Sequence, residues 1–185
     1  MFGLTHLKQV CAKVSDEFEL YPHLSEAVYQ RALQAELLQQ HEVVAVETEV
    51  VLPVEYRGYH VGTVRADLVV NPRESADYPC PEETVIELKR VPKITQSHID
   101  QLYTYMSLKM QKNDTTVHGA VVNFGVRPPE IRFLSGDEYW DNLRRKRNRC
   151  PGDDSDPDLT HSPSPVRERS PVRERSRSRS PERDK

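Results

Sequence analysis

Helical and extended patterns follow one another along residues 1–143 in an order that few architectures can accommodate. Two segments with apolar residues at helical spacing come first, three runs rich in β-branched residues follow, and a third helical pattern precedes two more such runs. Three strands in a row followed by a helical crossover indicate a mixed sheet with helices on its faces. The order therefore predicts an α/β fold.

The predicted helices run from residue 4 to near Tyr21, from 25 to about 40, from 95 to 112 and from 137 to 147, and the predicted strands cover residues 43–54, 59–71, 84–89, 117–124 and 130–134. Ser25 is the expected N-cap of the second helix, and Ser97 with Asp100 forms a start for the third helix that resembles a capping box. Residues 55–58 predict a hairpin connection between the first two strands.

The charge distribution divides the chain near residue 144. Residues 144–185 carry 13 Lys and Arg against 8 Asp and Glu, a net charge of +5, which leaves 13 against 21 and a net charge of −8 for residues 1–143. Because residues 150–185 contain hardly any apolar side chains, they are predicted to be disordered. We expect one domain at residues 1–143 and a basic, Ser/Arg/Pro-rich tail at residues 144–185.

The tail repeats the sequence SPVRER and then alternates Arg with Ser, which resembles the RS segments of eukaryotic splicing and RNA-associated proteins. An unmodified cationic arm of this kind can contact nucleic-acid backbones or acidic partners. Each phosphoserine would add about −1.5 to −2 charges, so three or four would reverse the net charge. The tail is interpreted as a switch controlled by a kinase or as a nuclear address, with an inert solubilising tail as the alternative.

The three cysteines, Cys11, Cys80 and Cys150, are far apart and form no Cys-x-x-Cys pair. This spacing indicates neither a disulfide framework nor a cysteine zinc site, and it fits a reducing compartment. No basic segment followed by an apolar stretch opens the chain, and no run of 18 apolar residues occurs. The sequence predicts an intracellular protein, nuclear or cytoplasmic, that is neither secreted nor bound to a membrane.

One strand carries a pair of opposite charges two residues apart. Side chains at this spacing share a face of a strand, so Glu87 and Lys89 are expected to point one way while Ile86 and Leu88 point the other. If Asp67 lies on the neighbouring strand, two carboxylates and a lysine converge and can hold a divalent cation beside an activated water. The pattern favours phosphodiester chemistry, although Glu-x-Lys alone is also compatible with an ordinary solvated strand face.

Four stretches extend this pattern along the chain: HLSEAVYQRAL from His23, YRGYHVGTVRADLVV from Tyr56, TVIELKRV from Thr84 and VVNFGVRPPEIRFL from Val121. Together with the order of elements, they resemble the restriction-endonuclease-like PD-(D/E)XK nuclease superfamily, and within it the GxxExxY proteins. Three features depart from that pattern. His23 replaces the glycine that opens the name motif, and the link between Asp67 and Glu87 is longer than in compact relatives. Ala66-Asp67 stands in place of the Pro-Asp of the superfamily's title, which is a common variant.

The resemblance implies a role for each matching position. Asp67 and Glu87 would bind Mg²⁺ or Mn²⁺ with the backbone carbonyl of Leu88, and Lys89 would orient the attacking water and stabilise developing charge. Glu26 would reach the site from the second helix, and Gln101 would face it from the third. The substrate would be DNA or RNA, and the chain could pair as a homodimer, as many such nucleases do.

Two functions of different classes remain open from the sequence. The first is a metal-dependent nuclease that hydrolyses phosphodiester bonds. The second is a nuclease fold without catalytic activity, used as a binding or adaptor module that acts through the RS-rich tail. The net charge of −8 on residues 1–143 is consistent with the adaptor function, because a negatively charged domain repels nucleic acid.

Overall fold

The computed structural model describes residues 3–21, 23–74, 82–113, 117–137 and 139, without the side chains of residues 112 and 113. All of them belong to the first of the two units into which the chain divides, Met1–Arg149. The last predicted helix, residues 137–147, lies almost entirely outside the described residues, and the predicted disordered tail lies wholly outside them. Among the described residues, no helix is both long and apolar enough to span a bilayer.

Three helices and five strands make up the described fold. In chain order they are α1 (Leu4–Glu17), α2 (Glu26–Leu37), β1 (Val43–Tyr56), β2 (Tyr59–Pro72), β3 (Glu83–Lys89), α3 (Gln96–Asn113), β4 (Val117–Asn123) and β5 (Glu130–Leu134). The strands form one sheet in the order β1-β2-β3-β4-β5. Neighbouring strands are antiparallel except β3 and β4, which are parallel and joined by α3. The predicted mixed α/β sheet flanked by helices is therefore confirmed.

Each face of the sheet is covered by a different hydrophobic cluster. Ile86 and Leu88 of β3 belong to the cluster that contains the buried residues of α1 and α2, whereas Val85 belongs to the cluster that contains Leu102 and Met106 of α3. The alternation along β3 is thus the predicted one, because odd-numbered residues point toward α3. Glu87 and Lys89 follow Val85 on that face.

Several predicted boundaries were wrong by a few residues. The first helix ends at Glu17 rather than near Tyr21, and the second ends at Leu37 rather than near residue 40. The hairpin connection is only Arg57-Gly58, since Tyr56 pairs with Tyr59 and both connecting residues adopt positive φ angles of 53° and 80°. Two residues with positive φ match the right-handed twist of the strands, which lets both strands extend to the turn.

The start of two helices also differs in detail from expectation. Ser25 occupies the N-cap position of α2, but its side chain makes no capping hydrogen bond. At α3 the reciprocal pair is Thr95 and His98 rather than Ser97 and Asp100. The amide of Thr95 donates to Nδ1 of His98 at 3.1 Å, and the amide of His98 donates to the Thr95 carbonyl at 3.1 Å.

Candidate active site

The candidate site lies where β2 and β3 separate. The two strands pair only from Val70 with Thr84 to Leu68 with Ile86. Beyond that point the Asp67 side chain replaces the backbone ladder, because its Oδ2 accepts the amide hydrogen of Leu88 at 2.7 Å. Next to this separation lies a cleft of about 550 Å³ that is lined by residues of β1, β2, β3 and α3. The sequence prediction that Asp67 and the Glu87-x-Lys89 pair lie side by side is correct.

Glu87 is buried, with 2% of its surface exposed, and Lys89 is partly buried beside it. The Lys89 ammonium donates a short hydrogen bond to Oε1 of Glu87. Among buried side-chain atoms of the described residues, Oε2 of Glu87 is the one that has no hydrogen-bond partner. Burying an unpaired carboxylate oxygen costs free energy, so such an oxygen is suited to a cation.

Burial changes the protonation chemistry of the cleft. It raises the pKa of Glu87 to about 7 despite the hydrogen bond from Lys89. Burial also raises the pKa of Asp67, although the Leu88 amide and the Lys89 charge oppose this effect. Burial alone would lower the pKa of Lys89, but the hydrogen bond and the surrounding carboxylates raise it above its usual value. The lysine therefore stays charged while Glu87 can exchange a proton near neutral pH.

Glu26 stands at the first turn of α2, at the edge of the same site. Its side chain is exposed, unlike Tyr29 and Leu33 on the same side of the helix. Desolvation of its carboxyl group raises its pKa, while the charge of Lys89 and the backbone amide of Arg90 lower it. The electrostatic influence of Lys89 and Asp67 on this group places Glu26 near the predicted site residues.

Gln101 lines the cleft from α3, as predicted, and it brings a residue that the sequence analysis did not assign to the site. Its Nε2 donates to the Tyr105 hydroxyl at 2.5 Å. Tyr105 also lines the cleft, and its pKa is raised by burial and by the charges of Glu87 and Asp67, against the hydrogen bond from Gln101. The spacing of four residues on one helix face was the signal that could have linked the two.

Gln30 of α2, which the sequence analysis did not assign to the site, binds the backbone of Asp67. Glu49 would oppose Asp67 in the register of β1 and β2, but the ladder skips this pair, and Glu49 has a φ of 53°. Nε2 of Gln30 on α2 donates to the Asp67 carbonyl at 2.8 Å and to Oε1 of Glu49 at 3.0 Å. Gln30 therefore satisfies a backbone group that the ladder leaves open.

The donor set fits a hard divalent cation through a small number of protein ligands. Within the described ranges, no three His, Cys, Asp or Glu side chains lie close enough together to form a metal site by themselves. The Leu88 carbonyl can complete the set, because the N–H and C=O of one residue point to the same side of a strand and the Leu88 amide points to Asp67. Mg²⁺ commonly binds one or two carboxylates and retains waters.

Comparisons with known proteins bear on this geometry. Residues 5–133 match the family model of the PD-(D/E)XK nuclease superfamily. No curated protein sequence matches the chain. Eleven solved chains do so. One of them, titled "Crystal structure of SSO0001", is 15% identical, with 77% of this chain and 76% of that chain covered and a TM-score of 0.40. Because the family model spans most of the sequence, the chain belongs to the PD-(D/E)XK nuclease superfamily.

Proposed function

We propose that the protein is a metal-dependent nuclease that hydrolyses phosphodiester bonds in DNA or RNA. The observation that carries the proposal is the unpartnered, buried Oε2 of Glu87 beside Asp67 and Lys89. In this proposal Asp67, Glu87 and the Leu88 carbonyl hold Mg²⁺ or Mn²⁺. The cation would supply charge neutralisation at the phosphate and a bound water of lowered pKa.

The side chains of the candidate site have separate tasks in the proposed reaction. Lys89, held by Glu87 and positively charged, orients the attacking water and stabilises charge on the phosphoryl oxygens. Gln101 and Tyr105 form the α3 wall of the cleft and position polar groups toward the substrate. Glu26 contributes a third carboxylate at the α2 edge, where it balances the charge of Lys89.

Two finer assignments belong to the same proposal. Within the superfamily, the chain is placed in the GxxExxY group on the Glu26-x-x-Tyr29 motif. The RS-rich tail is proposed to add cationic contacts to nucleic acid that a kinase removes by phosphorylation, in a nuclear or cytoplasmic setting. Unchanged nucleic-acid affinity and cellular location after deletion of the tail would contradict the second assignment.

The direct test is cleavage by the purified full-length protein. With Mg²⁺ or Mn²⁺ it should degrade at least one member of a panel of single-stranded and double-stranded DNA and RNA, and Glu87→Gln should abolish the cleavage. Glu36→Gln is the matched control, because Glu36 lies ten residues after Glu26 on α2, about 15 Å along the helix axis, and pairs with Lys13. This control should cleave like the wild type.

The adaptor function is the second candidate, and the acidic charge of residues 1–143 favours it. A net charge of −8 opposes binding of a polyanion unless cations or the tail compensate. If the wild-type protein leaves every substrate intact and its melting temperature does not rise with Mg²⁺ or Mn²⁺, the hydrolase is abandoned. Binding of nucleic acid that then depends on the tail would support the adaptor.

A further inference from the structure

The loop at residues 90–95 joins Lys89 to α3 and is held in place by groups outside it. Buried Asn123, at the end of β4, accepts the amide hydrogen of Val91 at 3.0 Å and donates to the carbonyl of Val91 at 2.9 Å. Further along the loop, the amide of Ile94 donates to Oε2 of Glu130 at 3.2 Å. Both peptide groups of Val91 are thus fixed by one side chain of the neighbouring strand.

The turn after β4 packs tightly against the same loop. The Gly125 amide donates to Oδ1 of Asn123 at 2.9 Å. A Cβ atom at Gly125 would overlap the backbone of Val91, so only glycine allows this close approach. The amide of Phe124 donates to the Lys89 carbonyl at 2.9 Å. These contacts hold the loop relative to Lys89 more firmly than a surface connection requires.

The loop carries two exposed cations, Arg90 and Lys93. Arg90 follows Lys89 directly, so their Cα atoms are about 3.8 Å apart. Its guanidinium lies 5.9 Å from the centre of the Tyr29 ring, a cation–π distance that orients the side chain along the α2 edge of the site. Lys93 lies three residues further toward α3. Positive charge therefore continues along the chain from the candidate catalytic lysine into the loop.

We propose that this loop binds the phosphodiester next to the bond that is cut, with Arg90 and Lys93 as the contacting side chains and Asn123 as the positioning residue. The inference rests on the proposed nuclease function and specifies how the site engages its substrate. A nucleic-acid strand carries one phosphate per 3.4 Å of axis, so a phosphate at Lys89 has neighbours within reach of residues 90–95. An acidic domain needs such a local basic element to bind a polyanion.

The test measures binding and cleavage by the full-length protein. Binding of fluorescein-labelled 20-mers of single-stranded DNA, single-stranded RNA and duplex DNA is followed by anisotropy in chelator over a series of salt concentrations. Arg90→Ala and Lys93→Ala should each weaken binding about five- to tenfold and reduce the salt slope by about one. In cleavage assays both variants, and Asn123→Ala, should raise KM while kcat stays nearly unchanged.

Arg73→Ala is the matched control, since Arg73 is an exposed cation six residues beyond Asp67, about 20 Å along the strand direction. Arg90→Ala and Lys93→Ala variants that bind and cleave like Arg73→Ala would overturn the inference. If the wild type binds nucleic acid but does not cleave it, the proposed nuclease function is wrong, while the salt slopes of the variants still test the role of the loop in binding. If the wild type binds none of the three probes, both proposals fail.

Discussion

The two edges of β3 differ: the edge toward β4 is fully paired within the sheet, whereas the edge toward β2 borders the candidate active site. Toward β4, all seven residues of β3 are paired in register. Toward β2, only Thr84, Val85 and Ile86 are paired, and the Asp67 carboxylate takes the place of the next backbone partner. Continuous pairing excludes water, whereas the early end of the second ladder leaves space for polar side chains beside a rigid strand.

Packing against α3 also differs between the two sides of β3. Gly119 of β4 lies against α3 so closely that a Cβ atom there would overlap the Met106 side chain and crowd Leu102. Toward β2, by contrast, the cleft is lined by Asp67, Glu87 and Gln101. The α3 helix therefore seals one half of the sheet face and lines a cleft on the other half.

The largest expected effect comes from removing the positive charge at the open edge. Lys89→Gln keeps a donor for Oε1 of Glu87 but loses the ammonium, so cleavage should fall about 10²- to 10³-fold, the range found for lost transition-state donors. Single-turnover rates measured with saturating enzyme check this. A variant that retains more than a tenth of the wild-type rate would show that the charge of Lys89 is dispensable.

The second prediction concerns pH and the buried carboxyl. Burial raises the folded pKa of Glu87 to about 7, above its ordinary value of 4.5, so the folded state binds the proton more tightly than the unfolded state. Its contribution to stability is therefore fully present below pH 4.5 and is lost as pH rises through about 7. In chelator, the wild type should lose on the order of 1–3 kcal/mol relative to Glu87→Gln across that interval.

Urea unfolding of both proteins at a series of pH values measures this difference. Parallel curves for the two proteins would mean that Glu87 is not ionised against a burial penalty. The matched variant Glu36→Gln should follow the wild type throughout, because Glu36 forms an exposed pair with Lys13.

The third prediction separates two roles of Asp67, which are to accept the Leu88 amide hydrogen and to bind the metal. Asp67→Asn retains an oxygen that can accept the Leu88 amide hydrogen, so the fold should lose little stability while metal affinity falls. Asp67→Ala leaves that amide without its partner and should cost about 1–2 kcal/mol more. Urea midpoints and titration with Mn²⁺ followed by calorimetry check both statements. Equal stability of the two variants would contradict the role of the side chain in replacing the ladder.

The smallest predicted effect comes from removing the side-chain amide of Gln30, which binds the Asp67 carbonyl. Gln30→Ala removes the donor to the Asp67 carbonyl and should reduce the unfolding free energy by about 0.5–1.5 kcal/mol. The apparent affinity for Mn²⁺ should fall as Asp67 becomes less well positioned. Gln39→Ala is the control, because the Gln39 side chain donates to the Ala35 carbonyl at the exposed end of α2, away from Asp67. Equal Mn²⁺ affinities of both variants would show that Gln30 does not position Asp67.

The strands could be predicted because runs of β-branched residues mark them, and along β3 the side chains alternate between the two faces. Glu87 and Lys89 share a face for the same reason that Ile86 and Leu88 share the other, and the neighbouring position of Asp67 followed from the order of three consecutive strands. Helix ends and the hairpin turn were less predictable, because the last residues of a helix and the first pair of a hairpin depend on few interactions.

The parts of the site that sequence reasoning missed all depend on contacts between distant elements. Gln30 acts on a carbonyl that is left open by the positive φ of Glu49, a conformation that no local pattern signals. Asn123 accepts the Gly125 amide hydrogen in its own turn, and it also fixes Val91 of a different loop, 32 positions earlier in the chain. Such groups become visible only when the register and the packing of the helices are known.

The most direct test of the account is an anomalous difference map from a crystal soaked with Mn²⁺. We expect one peak within coordination distance of Oε2 of Glu87, the Asp67 carboxylate and the Leu88 carbonyl, and the loss of this peak in Glu87→Gln. A map without a peak at this position, or a structure in which a protein group already occupies Oε2 of Glu87, would contradict it.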